Sequence, residues 1–207
     1  MTPHDLIPSL RVEAGSAPRL DRRDPGARIG APGKQAGLAH LQELIERLSL
    51  LHNRLFAEAS RAVLLILQGM DASGKDGTIR HVLTGVNPQG CRVVSFREPA
   101  GSELAHDYLW RVHAVCPARG ELAIFNRSHY EDVVATRVRG LVPKRVWARR
   151  YEHIRGFERL LVEEGTEVVK VFLHLSRDEQ RVRLQERLDD PEKRWKFRRG
   201  DLDDRQR

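Results

Sequence analysis

The stretch GMDASGKDG, residues 69–77, decides the fold of this chain, because it lies between a strand-like segment and a helix-like segment. Its pattern Gly69-x-x-x-x-Gly74-Lys75 is that of a phosphate-binding loop, in which backbone N–H groups turn toward one phosphate. The N-terminus of the following helix and the ammonium group of Lys75 attract the same anion. Such loops normally continue with Ser or Thr, which binds Mg²⁺, but here Asp76 follows. The stretch therefore predicts a phosphate site whose metal ligand lies elsewhere.

Asp71, inside the loop, is the predicted metal ligand, because Mg²⁺ prefers carboxylate oxygens and phosphoryl transfer needs the cation. A turn-stabilising aspartate is the alternative interpretation. We expect Asp76 to stabilise the first helical turn rather than touch the phosphate, which its carboxylate would repel. The predicted phosphate-binding set takes in the loop as a whole: Gly69, Ala72, Ser73, Gly74, Lys75, Asp76 and Gly77.

Strand-like and helix-like segments alternate along the rest of the chain. Continuous apolar runs predict buried parallel strands, and apolar residues at helical spacing predict the helices between them. The predicted strands are 62–68, 91–96, 121–125 and 167–175, and the predicted helices are 75–84, 102–114, 128–138 and 143–163. An amphipathic helix over residues 38–56 precedes them. Capping boxes at Ser128-x-x-Glu131 and Ser176-x-x-Glu179 mark two helix starts. The alternation predicts an α/β fold, a parallel sheet with helices on both faces.

Composition excludes several classes of protein. A chain of 207 residues with 40% hydrophobic and 31% charged residues is typical of one globular α/β domain. No uninterrupted apolar run is long enough to cross a bilayer, and the N-terminus does not resemble a signal peptide. Cys91 and Cys116 lie far apart without a zinc-binding spacing, which predicts reduced thiols in a cytoplasmic protein. The net charge of +7 favours a polyanionic partner: nucleic acid, a membrane surface or a phosphate polymer.

The two ends of the chain differ from its central part. Residues 1–37 hold half of the ten prolines, which predicts a flexible arm without a core of its own, followed by the main domain over 38–207. Residues 189–200 are mostly charged, with Trp195 and Phe197 as the large apolar groups. This composition indicates a mobile basic lid, and a solvated helix end is the alternative.

Polar residues follow the third predicted strand. The carboxyl ends of parallel strands form the ligand crevice of an open α/β sheet, so we expect Asn126 and Arg127 beside the loop. The planar fork of Arg127 suits a phosphate. Asn126 stands where such enzymes commonly have an aspartate that supports Mg²⁺, and it is predicted as a weaker metal ligand. We interpret His129 as a packed histidine rather than an acid or base. Glu131 and Asp132 stay open between helix capping and a role near the metal.

Together these motifs resemble the family-2 polyphosphate kinases. The matching stretches are LLILQGMDASGKDGTIRHVLTGVNPQG, ELAHDYLWRVH, FNRSHYEDVV, YEHIRGFERLL, KVFLHLSRDEQ and DPEKRWKF, in that order, and the match extends over about residues 38–205. The resemblance implies a P-loop kinase fold with a helical lid. It implies phosphoryl transfer between inorganic polyphosphate and AMP, ADP, ATP or their guanine counterparts, with Mg²⁺ or alternatively Mn²⁺ as cofactor. It also implies a homo-oligomer, a dimer or tetramer, with no nucleic-acid or membrane partner.

The resemblance also assigns roles to residues. Asp71 resembles the loop aspartate that holds magnesium, Lys75 the loop lysine and Arg127 the phosphate-holding arginine, and these three are the predicted catalytic residues. The lid that closes over the substrates is matched by a basic run: Lys193, Arg194, Trp195 and Lys196. Asn126 followed by SHYED resembles the subgroup that accepts both AMP and ADP. Family members continue well past the lid, so the end at Arg207 predicts a short C-terminus.

Two other functions stay open, beside a catalytically weak scaffold that only the short C-terminus would favour. One is a nucleotide kinase that uses ATP, although Asp76 and Asn126 argue against it because both positions normally serve Mg–ATP. The other is a basic module that binds nucleic acid or another polyanion without catalysis. No convincing His–Asp or Cys–His pair is found, and none is needed if a nucleotide phosphate oxygen, already an anion, is the attacking group.

Overall fold

A computed structural model describes residues 3–30, 33–197 and 200 of the chain. Its centre is a parallel sheet of four strands in the order β2-β3-β1-β4. The strands are β1 (Ala62–Gly69), β2 (Cys91–Ser95), β3 (Leu122–Asn126) and β4 (Thr166–Leu173). In the register, Val63 of β1 is paired with Leu122 of β3 and with Glu167 of β4. The parallel α/β architecture with flanking helices is confirmed, and each strand ends within two residues of its predicted end.

The helices follow the chain between and around the strands. They are α1 (Pro3–Leu10), α2 (Lys34–Glu58), α3 (Lys75–Val82), α4 (Trp110–His113), α5 (Glu131–Val138), α6 (Lys144–Glu163) and α7 (Arg177–Asp189). The capping prediction at Ser176 is confirmed, because its hydroxyl accepts a hydrogen bond from the Glu179 amide at 3.1 Å.

One helix prediction is wrong, and a second helix starts later than predicted. The predicted helix over 102–114 is a 3₁₀ turn at Gly101–Ala105 and the one-turn helix α4. The Asp107 side chain accepts a hydrogen bond from the Leu109 amide at 2.9 Å, a local bond that competes with a continuous helix. Helix α5 starts at Glu131 rather than 128, because the preceding chain is a turn in which the Ser128 hydroxyl accepts from the Tyr130 amide.

The hydrophobic core lies around the two central strands and helix α6. Its buried members are Leu64, Ile66, Phe96, Val112, Ala123, Phe125, Phe157 and Leu161. Strand β4 lies at the edge of the sheet, and Val169, Val171 and Phe172 stay 39–50% exposed. Strand β4, which its apolar sequence predicted to be buried, is therefore partly exposed to solvent.

The N-terminal segment lies outside this core. It contains α1 and a 3₁₀ turn at Leu20–Arg22, and residues 7–29 are all exposed, in agreement with a segment that has no core of its own. Its flexibility stays a prediction, and helix α2 begins four residues before the predicted boundary. Across the described ranges, no helix combines the length and apolarity needed to cross a membrane.

Candidate phosphate-binding site

The loop between β1 and α3 packs closely against the end of β4. A Cβ atom at Gly69 would lie 2.6 Å from the Ser73 hydroxyl and 2.9 Å from the main-chain oxygen of Leu173, so this position requires glycine. Gly74 has a φ of 94°, a left-handed conformation that glycine adopts without strain. The loop therefore has the tight backbone that a phosphate cradle needs.

Lys75 is folded into this loop. It is only 8% exposed, and its ammonium group donates to the main-chain oxygens of Gly69 (2.7 Å) and Met70 (3.0 Å) and to the Ser73 hydroxyl (3.2 Å). Burial, and then the nearby charge of Arg127, lower the pKa of Lys75. A phosphate in the loop would offer Lys75 a stronger, charged hydrogen-bond partner than these carbonyls.

Arg127 lies beside the loop because β1 and β3 are neighbours in the sheet. Its amide donates to the main-chain oxygen of Leu67, and its guanidinium contacts the Asp71 carboxylate at 2.5 Å and the Glu131 carboxylate at 3.5 Å. Arg127 has a φ of 64°, which is uncommon for a residue with a side chain. The structure thus brings the three predicted catalytic residues, Asp71, Lys75 and Arg127, to one place.

Asp76 and Asn126 are hydrogen-bonded to each other. The Asn126 amide nitrogen donates to the Asp76 carboxylate at 2.9 Å, and both residues line the same cleft. A carboxylate only accepts hydrogen bonds, so this contact fixes which end of the Asn126 amide faces Asp76. The amide oxygen of Asn126 is consequently directed away from that carboxylate.

Helix α7 supports the loop from the C-terminal side. The Gln180 side chain donates to the main-chain oxygen of Asp71 at 3.1 Å, and the Arg183 guanidinium donates to that of Ala72 at 3.2 Å. Neither residue was predicted from the sequence. Their spacing of three on a helix places them on one face, but no sequence signal identifies the loop as their partner.

Arg111 and Asp132 form a second ion-paired group in the cleft. Arg111 is 9% exposed and contacts Asp132 and Glu103 at 3.3 Å each, and Arg150 lies 3.8 Å from the Asp132 carboxylate. Burial raises the pKa of Asp132, while the two arginines act in the opposite direction. The role of Asp132, which the sequence left open between helix capping and the metal, is therefore to pair with arginines. Arg111 was not predicted from the sequence.

The remaining predicted residues have distinct placements. His129 is fully buried with its Nε2 atom 3.3 Å from a carboxylate oxygen of Glu158, as a packed histidine. Lys193 and Trp195 line the cleft, and Trp195 is 76% exposed. Arg194 donates to the main-chain oxygen of Leu188 at 2.7 Å. The side chain of Lys196 lies outside the described residues, and closure of the lid stays a prediction.

These residues surround a cleft of about 800 Å³ at the carboxyl ends of the strands. The basic side chains that line it are Lys75, Arg97, Arg111, Arg127, Arg139, Arg183, Arg187 and Lys193. Such a lining favours a ligand with several phosphates. Acidic side chains, Asp71 and Glu131 among them, lie between these cations.

The cleft contains oxygen donors of the kind that Mg²⁺ prefers. In the described ranges, no three His, Cys, Asp or Glu side chains are arranged to hold a metal ion without a substrate. Mg²⁺ in phosphoryl-transfer sites is usually held by one or two carboxylates together with substrate phosphates and water. Asp71, which lines the cleft and is about a quarter exposed, fits such an arrangement, with Asn126 as a neutral oxygen donor nearby.

A parallel sheet whose phosphate loop is flanked by a buried lysine and a clamping arginine defines a P-loop phosphotransferase. The chain belongs to the polyphosphate kinase 2 family, whose model matches residues 32–207.

Individual relatives agree with this assignment. The chain is 62% identical over 187 residues to the AMP/ADP-polyphosphate phosphotransferase of Meiothermus ruber, a match that covers 90% of this chain and 69% of that protein. It is 51% identical to the ADP-polyphosphate phosphotransferase of Rhodopseudomonas palustris, over 80% of this chain and 62% of that protein. The crystal structure of Polyphosphate Kinase 2 from Arthrobacter aurescens TC1 superposes with a TM-score of 0.89 at 42% identity, covering 99% of this chain and 72% of that one.

Proposed function

We propose that this protein transfers the terminal phosphoryl group of inorganic polyphosphate to AMP and ADP, in a reaction that requires Mg²⁺. The observation that carries the proposal is the convergence of Asp71, Lys75 and Arg127 on one loop inside a cleft lined by basic side chains. Family membership and the names of the relatives from Meiothermus and Rhodopseudomonas support polyphosphate as the donor.

The residues of the cleft supply alignment and charge. Backbone N–H groups of the loop and the Lys75 ammonium group hold the end of the polyphosphate chain, and Arg127 stabilises the charge of the phosphoryl group in transit. The attacking oxygen belongs to a nucleotide phosphate and is already an anion, so a strong general base is not needed. This explains why the buried His129 is not required as a catalyst.

The cation has a defined place in this proposal. Asp71 and, more weakly, Asn126 would hold Mg²⁺, or Mn²⁺ in its place, and the ion supplies neutralisation of phosphate charge when bound. The ion pair between Arg127 and Asp71 keeps the two side chains at the loop before substrates enter. Arg127 is then in position to exchange one carboxylate partner for a phosphate.

The test is a nucleotide assay with two donors. The protein is mixed with short-chain polyphosphate, Mg²⁺ and either AMP or ADP, and the products are separated by ion exchange, alongside a control with ATP and AMP but no polyphosphate. We expect ADP to form from AMP and ATP to form from ADP when polyphosphate is present. Neither product should form when EDTA removes Mg²⁺. Turnover in the ATP control with none from polyphosphate would instead assign the protein to the nucleotide kinases that use ATP.

A further inference from the structure

We propose that a second basic cavity, separate from the catalytic cleft, is an accessory binding site for long polyphosphate chains. The inference rests on the proposed function, which makes polyphosphate the substrate. The cavity has a volume of about 230 Å³ and lies along the N-terminal half of α6. It is lined by six described residues: Tyr108, Arg145, Val146, Arg149, Arg150 and His153. None of these six is acidic, so the cavity is suited to an anion.

The basic residues form a row along one face of the helix. Arg145, Arg149 and His153 are four residues apart, and side chains at this spacing lie above one another on a helix. All three are exposed. A linear polyanion has charges at regular intervals and therefore matches cations aligned along a helix, here Arg145 and Arg149, better than a compact anion does.

Two of these arginines have no partner within the described part of the chain. Arg145 and Arg149 make no hydrogen bond or ion pair with another described residue. Arg155 and Arg159, farther along the same helix, are instead paired with Glu152 at 2.5 Å and Glu163 at 4.0 Å. The helix therefore pairs Arg155 and Arg159, which lie beyond the cavity, and leaves Arg145 and Arg149 available within it.

The floor of the cavity is fixed by contacts with Tyr108. The Arg150 guanidinium lies over the Tyr108 ring at 4.6 Å, and the His153 ring is stacked with it at a centroid distance of 6.4 Å. Base recognition normally uses a free aromatic surface, whereas this ring is already occupied by a cation and an imidazole. This favours a chain of phosphates over a nucleotide or a nucleic acid as the ligand.

The cavity adjoins the catalytic cleft through one residue pair. Arg150 lines the cavity and donates to the main-chain oxygen of Asp132 at 2.6 Å, and Asp132 lines the cleft. When the end of a polyphosphate chain is held in the cleft, only a long chain has further phosphates that extend past Asp132 and Arg150 into the cavity. The accessory site should therefore act on long chains and leave short ones unaffected.

The first test compares chain lengths in steady-state kinetics. The double variant Arg145→Ala with Arg149→Ala is measured beside a matched control, Arg155→Ala with Arg159→Ala, which removes the same charge from the same helix. Because exposed ion pairs contribute modestly, we expect the KM for long-chain polyphosphate to rise about three- to tenfold in the first variant. The KM for short-chain polyphosphate and kcat should stay at wild-type values. Equal effects on both chain lengths, or an equal effect in the control, would overturn the accessory site.

The second test measures binding without turnover. Equilibrium binding of long-chain polyphosphate is followed over a salt series with no nucleotide present. Since each phosphate contact releases counterions, the slope of log K against log salt should decrease in magnitude by about one to two in the Arg145/Arg149 variant. An unchanged slope contradicts the proposal. It is also contradicted if ATP displaces the polymer and this displacement depends on Arg145 and Arg149.

The outcomes also separate the two proposals. If the wild-type protein turns polyphosphate over and the variant has the same slope and KM, only the accessory site is refuted. If the wild-type protein does not turn polyphosphate over, the proposed function is refuted. The slopes of log K against log salt then still show whether the accessory site binds polyphosphate.

Discussion

Lys75 combines burial with a positive charge, and this makes it the most direct single-residue test of the loop. Its partners are two main-chain oxygens and one hydroxyl, none of them charged. We expect Lys75→Met to lower turnover from polyphosphate by at least about 100-fold, since it removes a full charge from the phosphate site. The melting temperature should change by only a few degrees, because Met fills similar space. Turnover is measured by the nucleotide assay, and the melting temperature is measured by calorimetry.

A matched lysine controls this experiment. Lys144, at the start of α6, is exposed and lies outside the cleft lining. Lys144→Met removes the same charge and should retain turnover within about twofold. If Lys75→Met retained wild-type turnover, the loop would not be the phosphoryl-transfer site.

Glu158 is a buried carboxylate that joins α6 to β4 and to the turn after Arg127. It accepts hydrogen bonds from Lys170 at 2.6 Å and from the Tyr130 hydroxyl at 2.9 Å, and it lies 3.3 Å from His129. Burial by itself raises the pKa of Glu158, but its partners His129, Lys170 and Tyr130 together bring it below the ordinary value of 4.5. Burial likewise tends to lower the pKa of Lys170, and the bond to Glu158 raises it overall.

The direction of these shifts fixes a pH dependence. Stability from a carboxyl group with a lowered pKa is complete above 4.5 and is lost as the pH falls toward the native pKa. We expect Glu158→Gln to reduce the free energy of unfolding by about 1–3 kcal/mol at pH 7. Urea unfolding should show this difference from wild type shrinking at pH 3. The exposed Glu163→Gln serves as control, and an equal difference at both pH values would mean that the carboxylate charge is not responsible.

At the level of elements, α7 lies between the phosphate loop and the predicted lid. Its Arg183 donates to the loop at Ala72 and also lines the cleft, whereas Arg181 on the same helix is exposed and lies outside the cleft lining. We expect Arg183→Ala to raise the KM for polyphosphate about tenfold, because one charged contact and one loop support are lost together. Arg181→Ala should leave KM unchanged in the same assay. Equal values for the two variants would show that Arg183 does not contribute to polyphosphate binding.

The sequence predicts some elements of this fold well and others poorly, for physical reasons. Strand β1 and helix α6 have strong periodic patterns, and their bounds are confirmed within one residue. The segment 102–114 has a helical pattern, but the side-chain bond from Asp107 to the following backbone interrupts it. Propensity is a weak guide where such local bonds compete with the helix.

The candidate site shows the same division. Lys75 and Arg127 were predicted because their motif and their strand end place them without knowledge of distant contacts. The support from Gln180 and Arg183 joins residues more than a hundred positions apart, and only the packing of α7 against the loop reveals it. Asp76 was expected to stabilise the start of α3. Its hydrogen bond to Asn126 depends on the adjacency of β1 and β3.

At the scale of the whole molecule, helix α2 has leucine side chains that stay exposed within the described part of the chain. The helix has 25 residues, so it is about 37 Å long. One side packs on the domain, where His52 is buried against the main-chain oxygen of Gly90 at 2.9 Å. Leu38, Leu50 and Leu51 are 57%, 67% and 50% exposed. Exposed leucines that are adjacent in sequence, such as Leu50 and Leu51, offer apolar surface for contact with another chain.

We therefore propose that the protein assembles into a homo-oligomer through α2. Light scattering coupled to size exclusion should give a mass that is a multiple of the 23.7 kDa chain. The double variant Leu50→Lys with Leu51→Lys should lower that mass at the same concentration, because it places two charges in the interface. Asn53→Lys, at an exposed polar position of the same helix, should leave it unchanged. A wild-type mass of 23.7 kDa would contradict assembly, and an unchanged mass in the Leu50/Leu51 variant would place the interface elsewhere on the surface.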